Sequence, residues 1–326
     1  MRELADGHVH PVDALAGLAE LDATGLQQLL DELDGKGWRL ARQGDGVRLL
    51  NPLALLDGAA IRAALAAETL EHLGDVAVHG AVDSTNAELL RRAASSPIHG
   101  AVHLAEYQTA GRGRRGNAWL APAGSAVCLS VGWEIDTLRS ALSRFSVMLG
   151  IEIARALRAA GLADAGVKWP NDIVLPDGKL GGILVELQEL PRGGIAIITG
   201  IGLNVRLSGT LRADIQQPVT DLETALGRPP DRNVLAALVI DAAVRTLRAV
   251  SLDCLDGLAD WDEFDTLLGR RVRIEATGPG DEDAEEGVAA GIDASGALRL
   301  RQGTSCRSIM AGHVVPLDRP EPGGAA

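Results

Sequence analysis

The chain has 326 residues, of which 46% are hydrophobic and 23% charged, and its formal net charge at pH 7 is −13. This length is enough for two or three domains, and the composition is that of an ordinary globular protein. The negative charge opposes a surface built for general nucleic-acid binding. No apolar run is long enough to span a membrane and no secretion signal is evident, so we expect a cytoplasmic protein without a membrane partner.

Residues 1–50 have the pattern of a winged helix-turn-helix. Helical spacing of apolar residues predicts one helix over residues 11–21 and a second over residues 22–34, capped by Asp22 and ended by Gly35. An alternating stretch around a Gly-Asp-Gly turn then predicts a two-stranded hairpin.

Two interpretations of this unit stay open. It either reads DNA, with Gln27 and Gln28 on bases and Arg39 and Arg42 on the hairpin, or it only packs against the rest of the protein. Residues 1–50 hold nine acidic and five basic side chains, and the second helix has no lysine or arginine. Because phosphate contacts supply much of DNA affinity, this charge balance favours the packing interpretation.

The rest of the chain mixes helices and strands and then becomes β-rich. We expect a connecting helix over residues 57–73 and longer helices over residues 137–161 and 233–250. Strands are expected near residues 76–82, 101–106, 126–133, 182–189 and 194–203. From residue 269, short alternating runs between glycine turns predict a small β-barrel of about 50 residues.

The three cysteines, Cys128, Cys254 and Cys306, are far apart and form no Cys-x-x-Cys pair. Such spacing supports neither a disulfide framework nor a cysteine zinc site. We expect all three to be buried thiols.

The stretch GRGRRG, residues 111–116, matches the letters of the dinucleotide-binding pattern G-x-G-x-x-G. That pattern needs a helix that begins at the third glycine and binds a pyrophosphate. The chain continues instead as NAWLAPAGSA, which has no helical period, and all three variable positions are arginine. We therefore reject the Rossmann interpretation and predict a loop whose guanidinium groups bind carboxylate or phosphate.

Only three of the 31 basic residues are lysines, namely Lys36, Lys168 and Lys179. A planar guanidinium cannot replace a compact ammonium, so a retained lysine is a candidate for a specific role. Lys168 lies in VKWPNDIVL (167–175) and Lys179 in GKLGGILVE (178–186). These segments predict a strand-turn-strand unit, and the paired glycines indicate close approach of a ligand.

Together with DSTN (83–86), the loop segment from Ala105 to Trp119 and GIGLNV (200–205), these motifs resemble the biotin protein ligases, specifically the long bacterial form that also represses the biotin operon. The resemblance covers the whole chain. It implies an α+β fold, with a mixed α/β catalytic core like that of the class II synthetases, an N-terminal winged helix-turn-helix and a C-terminal SH3-like β-barrel. The implied units are residues 1–55, 56–265 and 266–319, with a disordered tail at 320–326.

The resemblance also implies an activity. The enzyme would form biotinyl-5′-adenylate from biotin and ATP with Mg²⁺, and then biotinylate a lysine of the biotin carboxyl carrier protein of acetyl-CoA carboxylase. A homodimer in the adenylate-bound state and biotin operator DNA are further implied partners. The alternative is a lipoate-protein ligase on the same catalytic fold, and a nucleic-acid-binding protein without catalysis is a third interpretation that the acidity opposes.

Roles carried over position by position fall into three groups. The implied biotin-binding residues are Ser84, Thr85, Asn86, Gln108, Arg112, Gly113, Arg114 and Lys179. The implied nucleotide-binding residues are Arg115, Trp119, Asn171 and Asn204. The implied catalytic residues are Arg114, Lys168, Asp172 and Lys179, with Asp172 also as a ligand of Mg²⁺. Core packing for Trp119 and a satisfied strand-end amide for Asn204 remain the alternatives.

Overall fold

A computed structural model describes residues 3–35, 38–50, 52–137, 142–252, 254, 258–275 and 284–317. Three sheets follow one another along the chain, within residues 10–49, 76–204 and 271–316. This mixed architecture with a β-rich C-terminal unit confirms the predicted fold class. Each sheet falls inside one predicted unit, and the unit boundaries stay predictions. In the described ranges no helix is both long and apolar enough to cross a membrane.

The helices are α1 (Val12–Ala19), α2 (Ala23–Gly35), α3 (Gly58–Ala64), α4 (Ala67–Leu70), α5 (Thr85–Ala93), α6 (Leu142–Ala159), α7 (Gly209–Asp214), α8 (Leu222–Leu226), α9 (Arg232–Ser251) and α10 (Trp261–Phe264). The strands are β1 (His10–Pro11), β2 (Leu40–Gln43), β3 (Gly46–Leu49), β4 (Val76–His79), β5 (Val102–Ala105), β6 (Ala126–Ile135), β7 (Gly166–Lys168), β8 (Asp172–Leu175), β9 (Gly178–Glu189), β10 (Ile195–Asn204), β11 (Arg271–Glu275), β12 (Glu285–Ile292), β13 (Leu298–Gln302), β14 (Ser305–Ile309) and β15 (His313–Pro316). Single 3₁₀ turns cover Glu3–Asp6 and Arg114–Gly116.

The N-terminal unit has the element order of a winged helix. Helix α1 ends at Ala19, and the next residue, Glu20, adopts the left-handed conformation with φ 54°. Helix α2 begins after Asp22, whose carboxylate accepts the backbone N–H of Gly25 at 2.7 Å, so the predicted cap is present. Strands β2 and β3 form the hairpin, and β1 adds to β3. Buried side chains of both helices pack on Trp38 and Val47 in a separate small core.

A seven-stranded sheet forms the centre of the molecule, in the order β4-β5-β6-β10-β9-β8-β7. Its neighbours are antiparallel except for the parallel pair β4 and β5. Side chains alternate along a strand, so Ile197 and Ile201 pack with α6 and α9 on one face, whereas Ala196 and Ile198 pack with α5 on the other. On the α5 face β10 continues with small residues, and this is where the cavity described below lies.

The C-terminal unit is a five-stranded antiparallel sheet in the order β14-β13-β12-β11-β15. Trp169, between β7 and β8, is buried and its indole Nε1 donates to the backbone oxygen of Gly296 at 2.9 Å. This contact fixes the β-rich unit beside the central sheet. As a result, His313 and Val314 of β15 reach the edge of the cavity.

Some local predictions require correction. The connecting helix expected over residues 57–73 is two short helices, because the Ala66 N–H donates to the Asp241 carboxylate at 3.2 Å and the chain leaves helical geometry at Leu65. Cys128 is buried as expected, but Cys254 and Cys306 are exposed. The helix expected from residue 137 is described from Leu142. Residues 138–141 and the predicted tail at 320–326 lie outside the described residues.

A buried ion pair holds the linker between the first two sheets. The Arg232 Nη2 and Glu106 Oε2 atoms lie 2.7 Å apart, and both side chains are more than nine-tenths buried. Glu106 also accepts the Leu56 N–H at 2.6 Å, and Arg232 donates to the Ala54 oxygen at 3.3 Å. The linker is therefore anchored by charge to the start of α9.

We expect Arg232→Met to lower the free energy of unfolding by about 3–5 kcal/mol, because the Glu106 carboxylate would stay buried without its partner. Arg245→Met is the matched control on the same helix, since Arg245 forms a half-exposed pair with Glu152. Loss of such a surface pair should cost at most about 1 kcal/mol. Chemical denaturation of the two variants measures the difference, and equal losses would contradict the assignment.

Candidate active site

A cavity of about 540 Å³ opens on the α5 face of the central sheet. This volume lies within the range of small-ligand sites, about 300–1,000 Å³. Every residue that the resemblance implied for biotin, nucleotide or catalysis lines it: Ser84, Thr85, Asn86, Gln108, Arg112, Gly113, Arg114, Arg115, Trp119, Lys168, Asn171, Asp172, Lys179 and Asn204. The fold brings these residues together, while their individual roles stay predictions.

Glycines form the floor of the cavity. Gly182 on β9 lies opposite Gly202 on β10, and Gly200 lies between Leu184 and Ser130 in the strand register. A Cβ at Gly200 would come within 2.4 Å of Asn86 Oδ1, and one at Gly202 within 2.6 Å of the Trp119 ring. Glycine at these positions therefore allows side chains from α5 and the loop to reach the sheet.

We expect Gly202→Ala to lower the rate of adenylate formation, the reaction that the sequence resemblance implies, by about tenfold or more, because the added methyl group must displace Trp119. The matched control is Gly80→Ala, where a Cβ meets nothing within 4 Å. Steady-state kinetics with a melting curve for each variant separates a local effect from unfolding. Unchanged kinetics for Gly202→Ala would show that the position of Trp119 is unimportant.

Lys179 reaches the cavity because of a β-bulge. Asp172 pairs with Gly182 but Val174 pairs with Lys179, so the register of β8 and β9 shifts. The extra residue on β9 places Lys179 on the same face as Asp172, whereas strict alternation from Gly182 would place it on the opposite face. Its Nζ lies 2.8 Å from Asp172 Oδ1.

Lys168 lies beside this ion pair, opposite Asp172 in the register of β7 and β8. Burial lowers the pKa of Lys168; Asp172 opposes this effect, and Lys179 and Arg270 add to it. Two lysines thus share one carboxylate at this end of the cavity, which leaves excess positive charge for an anionic ligand.

The GRGRRG loop closes one side of the cavity. Arg112 Nη1 lies 3.2 Å from Glu186 Oε1, and Arg114 Nη1 donates to Asn171 Oδ1 at 2.9 Å. Burial lowers the pKa of Arg114, and Arg115 adds to this effect. Arg115 adopts a left-handed φ of 60°, and Gly116 after it has a φ of 76°. The loop is therefore held to the sheet by its arginines, and these point toward the cavity.

The start of α5 forms the polar end of the cavity, where Ser84, Thr85 and Asn86 are all buried. Gln108 Oε1 accepts the backbone N–H of Thr85 at 2.9 Å. Ser130 Oγ lies 2.7 Å from Thr85 Oγ1 and 2.5 Å from Asn86 Oδ1. These contacts preorganise hydroxyl and amide groups for a neutral polar ligand group.

The contacts of Trp119 and Asn204 bear on the two interpretations of each residue. Trp119 packs on Gly202, and within the described part of the chain its buried Nε1 has no hydrogen-bond partner. Asn204 is buried and its Nδ2 donates to the Thr220 oxygen at 3.1 Å, next to the backbone of Lys179. Asn204 is thus a bonded strand-end amide that supports the Lys179 segment.

The sequence did not single out several residues in or beside the cavity. Ser130 and Glu186 lie behind the cavity wall, where the strand register brings both to Asn86 of α5. Glu186 nevertheless ends one of the recognised motifs. Cys128 lines the cavity, and burial raises the pKa of its thiol to about 11. His313 comes from the C-terminal sheet, where its Nδ1 lies 2.8 Å from Glu275 Oε2. No local sequence pattern predicts that these residues lie in or beside the cavity.

The residues predicted to contact DNA lie away from this cavity. Arg42 donates to the Gln27 side-chain oxygen, and Gln27 in turn donates to Asp31. Gln28 and Arg39 are exposed. Two of the four predicted contacts are therefore engaged within the N-terminal unit itself.

Among the described residues, no group of three or more His, Cys, Asp or Glu side chains could hold a metal ion. Asp172 and Asp214 are carboxylates that line the cavity. A divalent ion that uses one or two carboxylates together with substrate phosphates fits this donor set.

Comparison with known proteins agrees with this geometry. Residues 80–204 match the biotin/lipoate A/B protein ligase family, and residues 267–315 match the biotin protein ligase C terminal domain. The chain is 34% identical to the bifunctional ligase/repressor BirA of Escherichia coli over 317 residues, which cover 95% of this chain and 94% of the relative.

A second relative and a solved structure are also similar to the chain. The chain is 36% identical over 243 residues to the biotin--[acetyl-CoA-carboxylase] ligase of Mycobacterium tuberculosis, which covers 72% of this chain and 86% of the relative. A solved biotin protein ligase from Aquifex aeolicus in complex with biotin and ATP has the same fold, with a TM-score of 0.62 and 22% identity over 75% of this chain and 99% of that chain. The chain therefore belongs to the biotin protein ligase family.

Proposed function

We propose that this protein is an ATP-dependent biotin protein ligase that forms biotinyl-5′-adenylate and transfers the biotinyl group to a carrier-protein lysine. The observation that carries the proposal is the convergence of Arg112, Arg114, Lys168 and Lys179 on one cavity of an acidic chain. Such a set of cations fits a reaction that brings a carboxylate against a phosphate. Two relatives that match 72% and 71% of the chain are named biotin--[acetyl-CoA-carboxylase] ligase.

In the first step, a biotin carboxylate oxygen attacks the α-phosphorus of ATP and pyrophosphate leaves with the electron pair of the broken P–O bond. Two anions must approach, and each unit charge pair at about 4 Å costs about 4 kcal/mol at an effective dielectric of 20. Lys179 and Arg114 are placed to offset this repulsion. Lys179 would contact the carboxylate and then the acyl-phosphate oxygen, while Arg115, Asn171 and Trp119 would contact the nucleotide.

In the second step, the neutral amine of an acceptor lysine attacks the acyl carbon, AMP leaves and the amine loses a proton. Asp172 would accept this proton or orient the amine, since its carboxylate lines the cavity 2.8 Å from Lys179 Nζ. The acceptor that we propose is the biotin carboxyl carrier protein of acetyl-CoA carboxylase.

We further propose that Mg²⁺ enters with ATP, held by the phosphates and by the Asp172 carboxylate. When bound, it would neutralise charge on the phosphates. Because Asp172 also pairs with Lys179, the metal ion and the lysine would share this carboxylate. The homodimer in the adenylate-bound state also stays a prediction.

Biotin is favoured over lipoate for two reasons. The C-terminal unit matches the domain named for biotin protein ligases, in addition to the catalytic family that includes lipoate ligases. The polar end at Thr85, Asn86 and Gln108 offers hydrogen bonds that suit a ureido ring, whereas the dithiolane ring of lipoate has no N–H group.

The test is to mix the full chain with ATP, Mg²⁺, biotin and a biotin carboxyl carrier domain, and to measure the mass of the carrier. A biotinyl increment on one lysine, absent without ATP, supports the proposal. A lipoyl increment in the parallel reaction with lipoate, and none with biotin, would overturn it.

Operator-dependent repression is a second candidate function. It is favoured by the winged-helix order of the N-terminal unit and by the 95% coverage of the match to a relative named ligase/repressor. The acidic balance of residues 1–50 opposes it. A mobility-shift assay on biotin operator DNA, with biotin and ATP, decides between repression and an N-terminal unit that only packs against the rest of the protein. A shift that disappears with scrambled DNA supports repression, and no shift even at low salt supports a unit that only packs.

A further inference from the structure

We infer that Glu186 fixes the hydrogen-bond polarity of the biotin pocket and is therefore a positioning residue for ligand specificity. The inference rests on the proposed function. Glu186, Asn86, Ser130 and Thr85 form a continuous chain of side-chain hydrogen bonds, which we call the polarity chain. It begins at a charged group and ends at a residue that lines the cavity.

Strand register assembles the polarity chain. Ser130, Gly200 and Leu184 lie side by side on β6, β10 and β9, and Glu186 follows Leu184 on the same face. Because Gly200 has no side chain, Asn86 from α5 can lie directly on the sheet between Ser130 and Glu186. The carboxylate and the hydroxyl therefore contact opposite ends of one amide.

The chemistry of these groups fixes the direction of each bond. An ionised carboxylate only accepts, so Asn86 Nδ2 must face Glu186 Oε2, which lies 2.7 Å away. Asn86 Oδ1 then faces Ser130 Oγ at 2.5 Å, and the Ser130 hydroxyl must donate its single proton there. Ser130 Oγ can therefore only accept from Thr85 Oγ1, at 2.7 Å.

Thr85 consequently has no proton to give to a ligand. Its hydroxyl donates to Ser130 Oγ at 2.7 Å rather than to the more distant Gln108 Oε1 at 3.3 Å, so the oxygen presents only lone pairs to the cavity. The neighbouring Gln108 Oε1 already accepts the Thr85 backbone N–H. The pocket therefore requires an N–H donor at Thr85, which a ureido ring supplies. A ligand that places a hydrogen-bond acceptor against Thr85 leaves the buried Thr85 oxygen unpaired. A mismatch of this kind discriminates strongly between ligands.

Glu186 has a second contact, because its other oxygen pairs with Arg112 of the loop. A variant at Glu186 alone would thus disturb both the loop and the polarity chain. Ser130→Ala separates the two effects, since it breaks the chain and leaves the pair between Arg112 and Glu186 in place. Glu189→Gln removes the same charge from the exposed end of β9 and is the matched control.

The test measures binding of biotin and of its two cyclic carbamate analogues, in which one or the other ureido N–H is replaced by a ring oxygen. Calorimetry is done on the wild type, Glu186→Gln, Ser130→Ala, the double variant and Glu189→Gln. We expect the wild type and Glu189→Gln to prefer biotin strongly over the analogue with oxygen at Thr85. In Glu186→Gln and Ser130→Ala this preference should shrink by about tenfold, or about 1.4 kcal/mol.

The other carbamate analogue should show no such change, and the double variant should be no worse than either single variant, because both residues act in one chain. An unchanged preference in Ser130→Ala, or an equal loss of affinity for all three ligands, would overturn the inference. Absence of biotin binding by the wild type would instead refute the proposed function itself.

Discussion

Lys179→Arg should lower the rate of biotin-dependent pyrophosphate release by about 10²- to 10³-fold, although it preserves charge. Loss of one preorganised donor at a developing negative charge has effects of this size. Lys179 Nζ lies 2.8 Å from Asp172, on a backbone that a bulge aims into the cavity. A guanidinium is larger and planar, so it cannot place one proton at the same point without displacing Asp172.

The assay follows pyrophosphate release in a single turnover. Lys36→Arg is the matched control, because Lys36 is the one lysine outside the two motifs. We expect Lys36→Arg to have the kinetics of the wild type. In Lys179→Arg, the affinity for biotin should fall far less than the rate of pyrophosphate release. Near-normal pyrophosphate release by Lys179→Arg would remove Lys179 from its assigned role.

Arg114→Gly should release the adenylate about 10- to 100-fold faster than the wild type. Arg114 is half-buried and donates to Asn171 Oδ1 at 2.9 Å, so its guanidinium is held at the cavity. A charge-assisted hydrogen bond contributes about 1.5–3 kcal/mol, which corresponds to this range. Escaping adenylate would acylate amines on any protein added to the reaction.

Labelling should therefore rise strongly on an added lysine-rich protein but only slightly on the enzyme. The chain has three lysines, and arginines stay protonated and are not acylated. The control is Arg228→Gly, which removes an exposed arginine away from the cavity. Labelling of the added protein at the wild-type level by Arg114→Gly would contradict the retention role.

The residues that the resemblance implied for the site all line one cavity, because they lie in short motifs with polar groups in apolar or glycine-rich surroundings, while their roles stay predictions. The geometry of the site was not predictable from the sequence. Simple alternation along β9 places Lys179 and Gly182 on opposite faces, and only the bulge near Val174 reverses this. A bulge depends on the pairing of two strands, so one strand's sequence does not reveal it.

Other features could not be predicted for the same reason, since they depend on residues that are far apart in the chain. The break between α3 and α4 follows from a bond between Ala66 and Asp241 of α9, which a local helical pattern cannot anticipate. The polarity chain joins residues from α5, β6 and β9. Burial of individual cysteines likewise depends on tertiary packing, and the prediction was wrong for Cys254 and Cys306.

The central claim is that the cations of this cavity activate biotin with ATP. It is tested most directly by mixing the wild-type chain with ATP, Mg²⁺ and biotin, without a carrier, and counting pyrophosphate and bound adenylate. The account predicts close to one pyrophosphate and one retained biotinyl-adenylate per active chain. With lipoate in place of biotin, it predicts no pyrophosphate and no adenylate. Pyrophosphate release that is independent of biotin, or equal with lipoate, would contradict it.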